Sequence, residues 1–307
     1  MEFRQIRYFL AIHEAGSFLR AARGLGLTQP ALSRQMSLLE RELGQVLFER
    51  RARSLHLTAS GETFLTYAVR MNDLWREMLD GLNPEAENLH GEYSISTGGT
   101  IAAWVLPPVL SRIRRGHRSL SFRVYEGDLE ESRERLVRGE VDIGILTGQL
   151  DESGLLSRPL FTDRIVPVAA RTHPVFRRKP LTIASLAEDS FVFFHPTSAI
   201  RRAVEKRLRE TRPPLRPRIA MELRSIESVI RSIEAGHGIG FVSDLSLNPR
   251  LRVLPFEELV AERTFYVSFR RHHRRSLDRL MELIEQYSLE LRRPKTTKSG
   301  PRARSAR

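Results

Sequence analysis

Apolar residues recur at helical spacing through most of the chain up to Leu82, and from Gly91 the rhythm changes. Beyond that point short apolar runs alternate with amphipathic helical stretches, a pattern that one packed layer of helices cannot satisfy. The chain therefore divides into a helix-rich N-terminal unit and a larger α/β unit, and its 307 residues leave room for both. The absence of cysteine excludes disulfides, thiolate nucleophiles and cysteine-based zinc sites. No apolar run approaches the ~20 residues of a membrane helix, and Met1 to Ala15 mixes charged and apolar residues unlike a signal peptide. A cytoplasmic location without membrane association is expected.

In the first unit Phe3, Ile6, Phe9, Leu10 and His13 mark one helix, ended by Gly16. Ser17 has the character of an N-cap for a short second helix with Ala21, Ala22 and Leu25 on its inner face. Gly26 breaks that helix. Thr28 then caps a third, with Pro30 in its first turn and Leu32, Met36, Leu39 and Leu43 as its buried stripe. Two helices crossing steeply need small side chains at the crossing and a residue tolerant of positive φ in the turn, here Ala21, Ala22 and Gly26. This geometry presents the third helix to a DNA major groove, with Thr28, Gln29, Pro30, Ser33, Arg34 and Ser37 as candidate contacts. Taken alone, the segment also suits an ordinary helical hairpin with a solvated polar face. Val46 to Phe48 and Leu55 to Leu57 then suggest two short strands, with Arg50, Arg51 and Arg53 in the turn between them, placed to hold flanking phosphates.

Charge agrees with this reading without proving it. The formal net charge is +13, of which the segment from Arg292 to Arg307 supplies seven basic residues, so the remainder carries about +6. That tail reads as a disordered end or a nucleic-acid arm. The first 58 residues hold nine Arg against five Glu. Basic charge alone gives only sequence-independent attraction to phosphate.

At this point a resemblance becomes specific. Gly16-Ser17-Phe18, Ala21-Ala22, Leu27, Gln29-Pro30-Ala31-Leu32-Ser33, Leu39-Glu40, Leu43-Gly44, Leu47-Phe48-Glu49-Arg50, Arg53 and Leu57-Thr58 match the N-terminal domain of LysR-type transcriptional regulators. Ala59-Ser60-Gly61 departs from that family's more usual Pro-Ala-Gly. After Thr58, Phe64, Ala68, Met71, Trp75, Met78 and Leu82 repeat at spacings of four and three, ended by Asn83-Pro84. Such a seam packs on the chain's own body or on a partner helix. The resemblance implies the second, a homodimer or homotetramer reading a palindromic operator in double-stranded DNA, with RNA polymerase as a further partner.

The α/β unit reads as strands at Tyr93–Ser96, Ser121–Tyr125, Val141–Leu146, Ile165–Ala170, Phe191–Phe194, Ile219–Leu223, Ile239–Val242 and Thr264–Phe269. Helices lie between them at Thr100–Arg115, interrupted by Pro107-Pro108, and at Glu130–Arg138, Ala199–Glu210 and Ile226–Ala235, with a final helix at Arg275–Leu291. The alternation predicts a parallel sheet covered on both faces. It resembles the same family's regulatory domain, two α/β subdomains of type 2 periplasmic-binding-protein fold. The chain would cross between them near Phe161–Arg164 and again near Glu262. The whole is expected to be multidomain: an all-α winged helix-turn-helix at 1–58, a linker helix for dimerisation at 59–88, an effector domain at 89–291 and the basic tail at 292–307. Subdomain I would span about 89–162 and 265–291, and subdomain II about 163–264.

In such a fold a ligand lies between subdomains, at strand ends and helix N-termini. The candidates are Thr97, Gly98, Gly99, Thr100, Leu129, Pro196, Thr197, Ser198 and Gly238, around a small and anionic effector. Leu129 stands where many relatives carry Thr or Ser. Thr100 and Thr197 also suit plain helix capping, and Arg201 and Arg202 read as a solvated helix face. No cofactor or metal is expected, because His272-His273 are adjacent and cannot share a helix face as metal ligands would. Gly236-His237-Gly238-Ile239-Gly240 follows a helix instead of opening one, unlike a dinucleotide fingerprint. Catalysis is not expected. The alternative is a DNA-binding regulator whose C-terminal domain only oligomerises and takes no ligand.

Overall fold

The computed structural model describes residues 1–51, 54–82 and 89–292. Gly16, at φ +58°, closes α1 (Phe3–Ala15) in the left-handed conformation that glycine adopts without steric cost. Ser17 accepts from the Arg20 amide and begins α2 (Phe18–Gly24). After the turn at Gly26, Thr28 Oγ1 accepts from Ala31 N at 3.3 Å and starts α3 (Gln29–Leu43). Ala21 and Ala22 let α2 sit close on α1 and α3. Around them Ile6, Phe9, Ile12, Leu32, Met36 and Leu39 form a core completed by Leu47, Phe48, Leu65, Ala68 and Val69.

The wing is β1 (Phe48–Arg51) antiparallel to β2 (Ser54–Leu57), with Phe48 opposite Leu57 and Arg51 opposite Ser54. It starts two residues later than expected, so Arg50 and Arg51 belong to the strand and not to the turn. Val46 and Leu47 have other partners. The amides of Leu47 and Phe48 both donate to Glu40 Oε1, and Thr58 donates its hydroxyl to Val46 O and its amide to Leu47 O. Thr58 Oγ1 also accepts from Gly61 N, capping α4 (Ala59–Leu82). A Cβ at Gly61 would lie 2.2 Å from Leu47 O, so only glycine lets α4 pass beneath the wing.

The expected seam on α4 splits in two. Ala68 is fully buried in its own domain, and Phe64 packs edge-on against Phe9 with centroids 4.8 Å apart. Neither is available to a partner helix. Trp75 lies against Phe3 yet stays 40% exposed, and Met71, Met78 and Leu82 are exposed. Tyr67, Leu74 and Leu79, which the heptad reading omitted, join them in one unpaired stripe.

The α/β unit runs β3 (Gly91–Thr97), α5 (Leu106–Gly116), β4 (Leu120–Glu126), α6 (Leu129–Val137), β5 (Ile143–Thr147), β6 (Leu155–Ala170) and β7 (Ser190–Phe194). It continues through α7 (Ala199–Glu210), β8 (Arg218–Leu223), α8 (Ile226–Glu234), β9 (Ile239–Ser243), β10 (Leu251–Val253), β11 (Ala261–Arg270) and α9 (Arg275–Arg292). Pro107-Pro108 do not interrupt the first helix. A π turn at Ile101–Val105 leads into α5, with Leu106 N donating to Ile101 O, so the prolines sit where a missing N–H is tolerated.

Among the described residues these strands form one sheet in the order β4-β3-β5-β11-β6-β9-β7-β8, with β10 paired to β6. It is mixed, not parallel. The trios β4-β3-β5 and β9-β7-β8 are each parallel, and the long strands β6 and β11 join them antiparallel. The first half of β6 was not expected as strand, because charged residues and Pro159 interrupt its apolar pattern. Pro159 is accommodated at a register shift opposite Phe265/Tyr266, where the ladder is already broken. Separate apolar cores fill the two lobes, one around Phe191 and Ile239, the other around Tyr93 and Phe269.

The N-terminal helical unit rests on the first lobe. Asp73 of α4 makes a buried ion pair with Arg270, which also donates to Leu136 O and Val141 O. A Cβ at Gly139 (φ +72°) would meet Val69 at 2.8 Å. His13–Glu140, Arg123–Glu14 and Arg138–Glu62 form a polar rim.

Candidate DNA interface and ligand cleft

On α3 the side chains split cleanly. Leu32, Met36 and Leu39 are buried, whereas Gln29, Pro30, Arg34 and Ser37 are exposed with Thr28 just before them, and Ser33 is half-buried. Recurring at intervals of three and four, these residues share one outward face of the helix. Arg34 forms no ion pair among the described residues, which leaves its guanidinium free for a base edge or a phosphate. Arg50 and Arg51 lie on β1 beside this unit, and Arg53 falls outside the described residues.

The second site is a cleft of about 310 Å³ between the lobes. Of the expected ligand residues, Gly98, Gly99, Thr100, Leu129, Thr197 and Ser198 line it together. Thr97, Pro196 and Gly238 do not. Thr97 is buried and donates its hydroxyl to Ile145 O at 2.6 Å, which holds β3 to β5. Gly238, at φ +151°, lies so close to Ser190 that a Cβ would be 2.2 Å from its carbonyl oxygen. It is needed for strand packing. Pro196 is exposed and outside the cleft lining.

The floor of the cleft was not foreseen. Asp163 on β6 and Arg263 on β11 face each other across the antiparallel ladder, where the chain passes between lobes. Arg263 Nε donates to Asp163 Oδ2 at 2.8 Å, and Ser243 Oγ donates to Asp163 Oδ1 at 2.6 Å. Arg263 Nη2 donates to Thr100 Oγ1 at 2.9 Å, and its guanidinium lies over the Phe265 ring. Asp163 is fully buried and the Arg263 side chain is only 7% exposed. Burial drives the Arg263 pKa below its ordinary value, and the Asp163 carboxylate opposes that fall. In one sequence two charged residues inside strands carry no spacing signal, and only the antiparallel pairing of β6 with β11 brings them together. Thr100 is therefore no helix cap. Its backbone is already helical, and its hydroxyl accepts from the floor arginine.

The walls differ in kind. Subdomain I contributes Glu126, Asp128 and Glu131. Asp128 caps α6 by accepting from the amides of Glu130 and Glu131, and Glu131 reciprocates by accepting from Asp128 N. Subdomain II contributes His195, Arg202 and Arg224 together with the start of α7 and Ile226 of α8. Ser198 and Ser225, the N-caps of α7 and α8, make no side-chain cap hydrogen bond, so the first amides of both helices remain without a side-chain acceptor. Arg201, expected on a solvated face, is instead largely buried. It binds Glu205, Glu222 and Phe194 O and fixes α7 to the sheet. Arg202 lines the cleft and donates to Thr197 O at 2.7 Å.

Residues 3–62 match the family described as "Bacterial regulatory helix-turn-helix protein, lysR family", and residues 86–288 match "LysR substrate binding domain". A probable RuBisCO transcriptional regulator of Trieres chinensis is 26% identical over 265 residues, 84% of this chain and 86% of that protein. A full-length single-residue variant of OxyR from Pseudomonas aeruginosa superposes with a TM-score of 0.79 at 21% identity, covering 94% of each chain. Full-length CbnR in complex with its target DNA gives a TM-score of 0.59 at 24% identity, covering 94% of this chain and all of that one (100%). Among the described residues no helix is long and apolar enough to cross a membrane.

Proposed function

The chain belongs to the LysR family of DNA-binding transcriptional regulators and carries that family's effector-binding domain; from this premise we propose that it is a cytoplasmic homodimer reading a palindromic operator under the control of a small anionic metabolite. The outward face of α3 reads bases through Gln29, Ser33 and Arg34, while Arg50, Arg51 and Arg53 of the wing hold flanking phosphates. The exposed stripe of α4, from Tyr67 to Leu82, supports pairing with the same helix of a second copy. Dimers pair further into tetramers, and ligand-driven closure of the lobes alters DNA bending and contact with RNA polymerase.

One observation carries the ligand reading. The cleft floor holds the buried Arg263–Asp163 pair, whose guanidinium also donates to Thr100, and the cleft faces helix N-termini whose caps make no side-chain hydrogen bond. A domain that only oligomerised has no need of such a lining. Isothermal titration against a panel of small organic acids tests the reading. Binding that weakens by about 1–3 kcal/mol in Thr100→Ala is the expected result. Binding indifferent to that substitution contradicts the site, and the absence of any ligand-induced thermal shift favours the domain that only oligomerises.

A further inference from the structure

Charge is not spread evenly around the cleft. The subdomain I wall carries carboxylates and no cation, and the subdomain II wall carries Arg202, Arg224 and His195 and no carboxylate. The acid wall is not equally occupied. Asp128 and Glu131 are engaged in capping α6, which satisfies that helix start and leaves it nothing to offer an anion. Glu126 has no hydrogen-bond or ion-pair partner among the described residues, and neither has Arg224 opposite. Glu126 also stands where the lobes approach. Its Oε1 lies 2.7 Å from the position a Cβ on Gly99 would take, and that position is 3.3 Å from Ile226 Cγ2 of the other lobe. A side chain at residue 99 would displace this carboxylate, the end of an exposed side chain that lines the cleft.

An anion entering the cleft is drawn to subdomain II. There the starts of α7 and α8 add their dipoles to two guanidinium groups, whereas the opposite wall repels it. A ligand with only negative charge leaves Glu126 facing it across a cavity of about 310 Å³, a like-charge pairing that opposes closure. We infer that the ligand is amphoteric, with an anionic group held by subdomain II and a cationic group held by Glu126 of subdomain I. One molecule then bridges both lobes, and each half of its charge is needed to close them. The inference rests on the ligand-binding reading above and names its chemical class.

The test is isothermal titration of the full-length protein with three matched probe sets: the common free amino acids, their N-acetyl forms and their carboxamides. At least one free amino acid binds, and both of its modified forms bind roughly tenfold or more weakly. Glu126→Gln weakens the free amino acid by a similar factor but not the N-acetyl form, which instead binds as tightly or more tightly once the like charge is gone. N-acetyl forms binding as tightly as free amino acids, or a Glu126→Gln protein indistinguishable from wild type, overturns the inference and leaves the anion-binding reading in place. No binding by any probe, with simple organic acids equally silent, overturns both.

Discussion

Arg34 lies on the exposed face of α3 and forms no ion pair among the described residues, so its substitution separates base reading from simple charge attraction. Arg34→Ala is expected to cost about 1–3 kcal/mol on the operator and to relax specificity at one base position, as measured by competition between single-base operator variants. Loss spread evenly over all sequences, with a shallower salt dependence, identifies a phosphate contact instead. The outward placement of such residues was legible in the sequence because α3 announces its own periodicity. Once Leu32, Met36 and Leu39 are placed inside, the outer residues follow. Asp163 and Arg263 were not legible, since they lie a hundred positions apart and meet only through strand pairing. Gly238 misled for a related reason. A glycine beside a strand end suits either ligand approach or backbone packing, and only the contact with Ser190 decides between them.

At the scale of elements, α4 departs furthest from what its spacing predicts. Its heptad seam was correctly seen as apolar, but spacing alone does not say which half meets the chain's own core, and Phe64 and Ala68 proved internal. The same helix bears Asp73, whose buried pairing with Arg270 joins it to β11 and thus to the strand that supplies Arg263. Asp73→Ala leaves the Arg270 charge buried without its partner and is expected to destabilise the full-length protein by about 3–5 kcal/mol in chemical denaturation. The double replacement Asp73→Ala with Arg270→Met should recover much of that loss. An Asp73→Ala protein as stable as wild type contradicts this role. The docking of α1 on the first lobe brings in pH. Burial holds the His13 pKa below its ordinary 6.5 against the opposing pull of Glu140, with Arg138 lowering it further and Glu62 and Glu14 raising it. The unfolded chain therefore takes up the proton more readily than the folded one, so stability present above about pH 6.5 is lost as pH falls through the folded-state value. His13→Gln should show a smaller drop in Tm than wild type between about pH 7 and pH 5. Parallel curves for the two proteins contradict it.

The division of the whole molecule into a helical reader and an α/β sensor was visible in the change of hydrophobic period at Gly91. The mixed sheet was not visible, because antiparallel β6 and β11 leave the local alternation of strands and helices unchanged while reversing how the lobes are joined. That joining matters for function. One pair of strands passes through both lobes, carries the buried ion pair at the cleft floor and ends at the linker helix, so the cleft and the DNA-binding unit share a continuous element. Two copies paired along the exposed stripe of α4 would set two α3 helices on half-sites separated by whole turns of DNA. The most direct test of the central claim is selection of binding sites from genomic DNA with the purified full-length protein, followed by footprinting of the best site. The predicted result is a palindromic site whose protection spans several helical turns and, in Arg34→Ala, requires a higher protein concentration in keeping with a loss of about 1–3 kcal/mol. Retention of DNA only through salt-sensitive binding without sequence preference would contradict it, since basic charge alone would then explain the affinity.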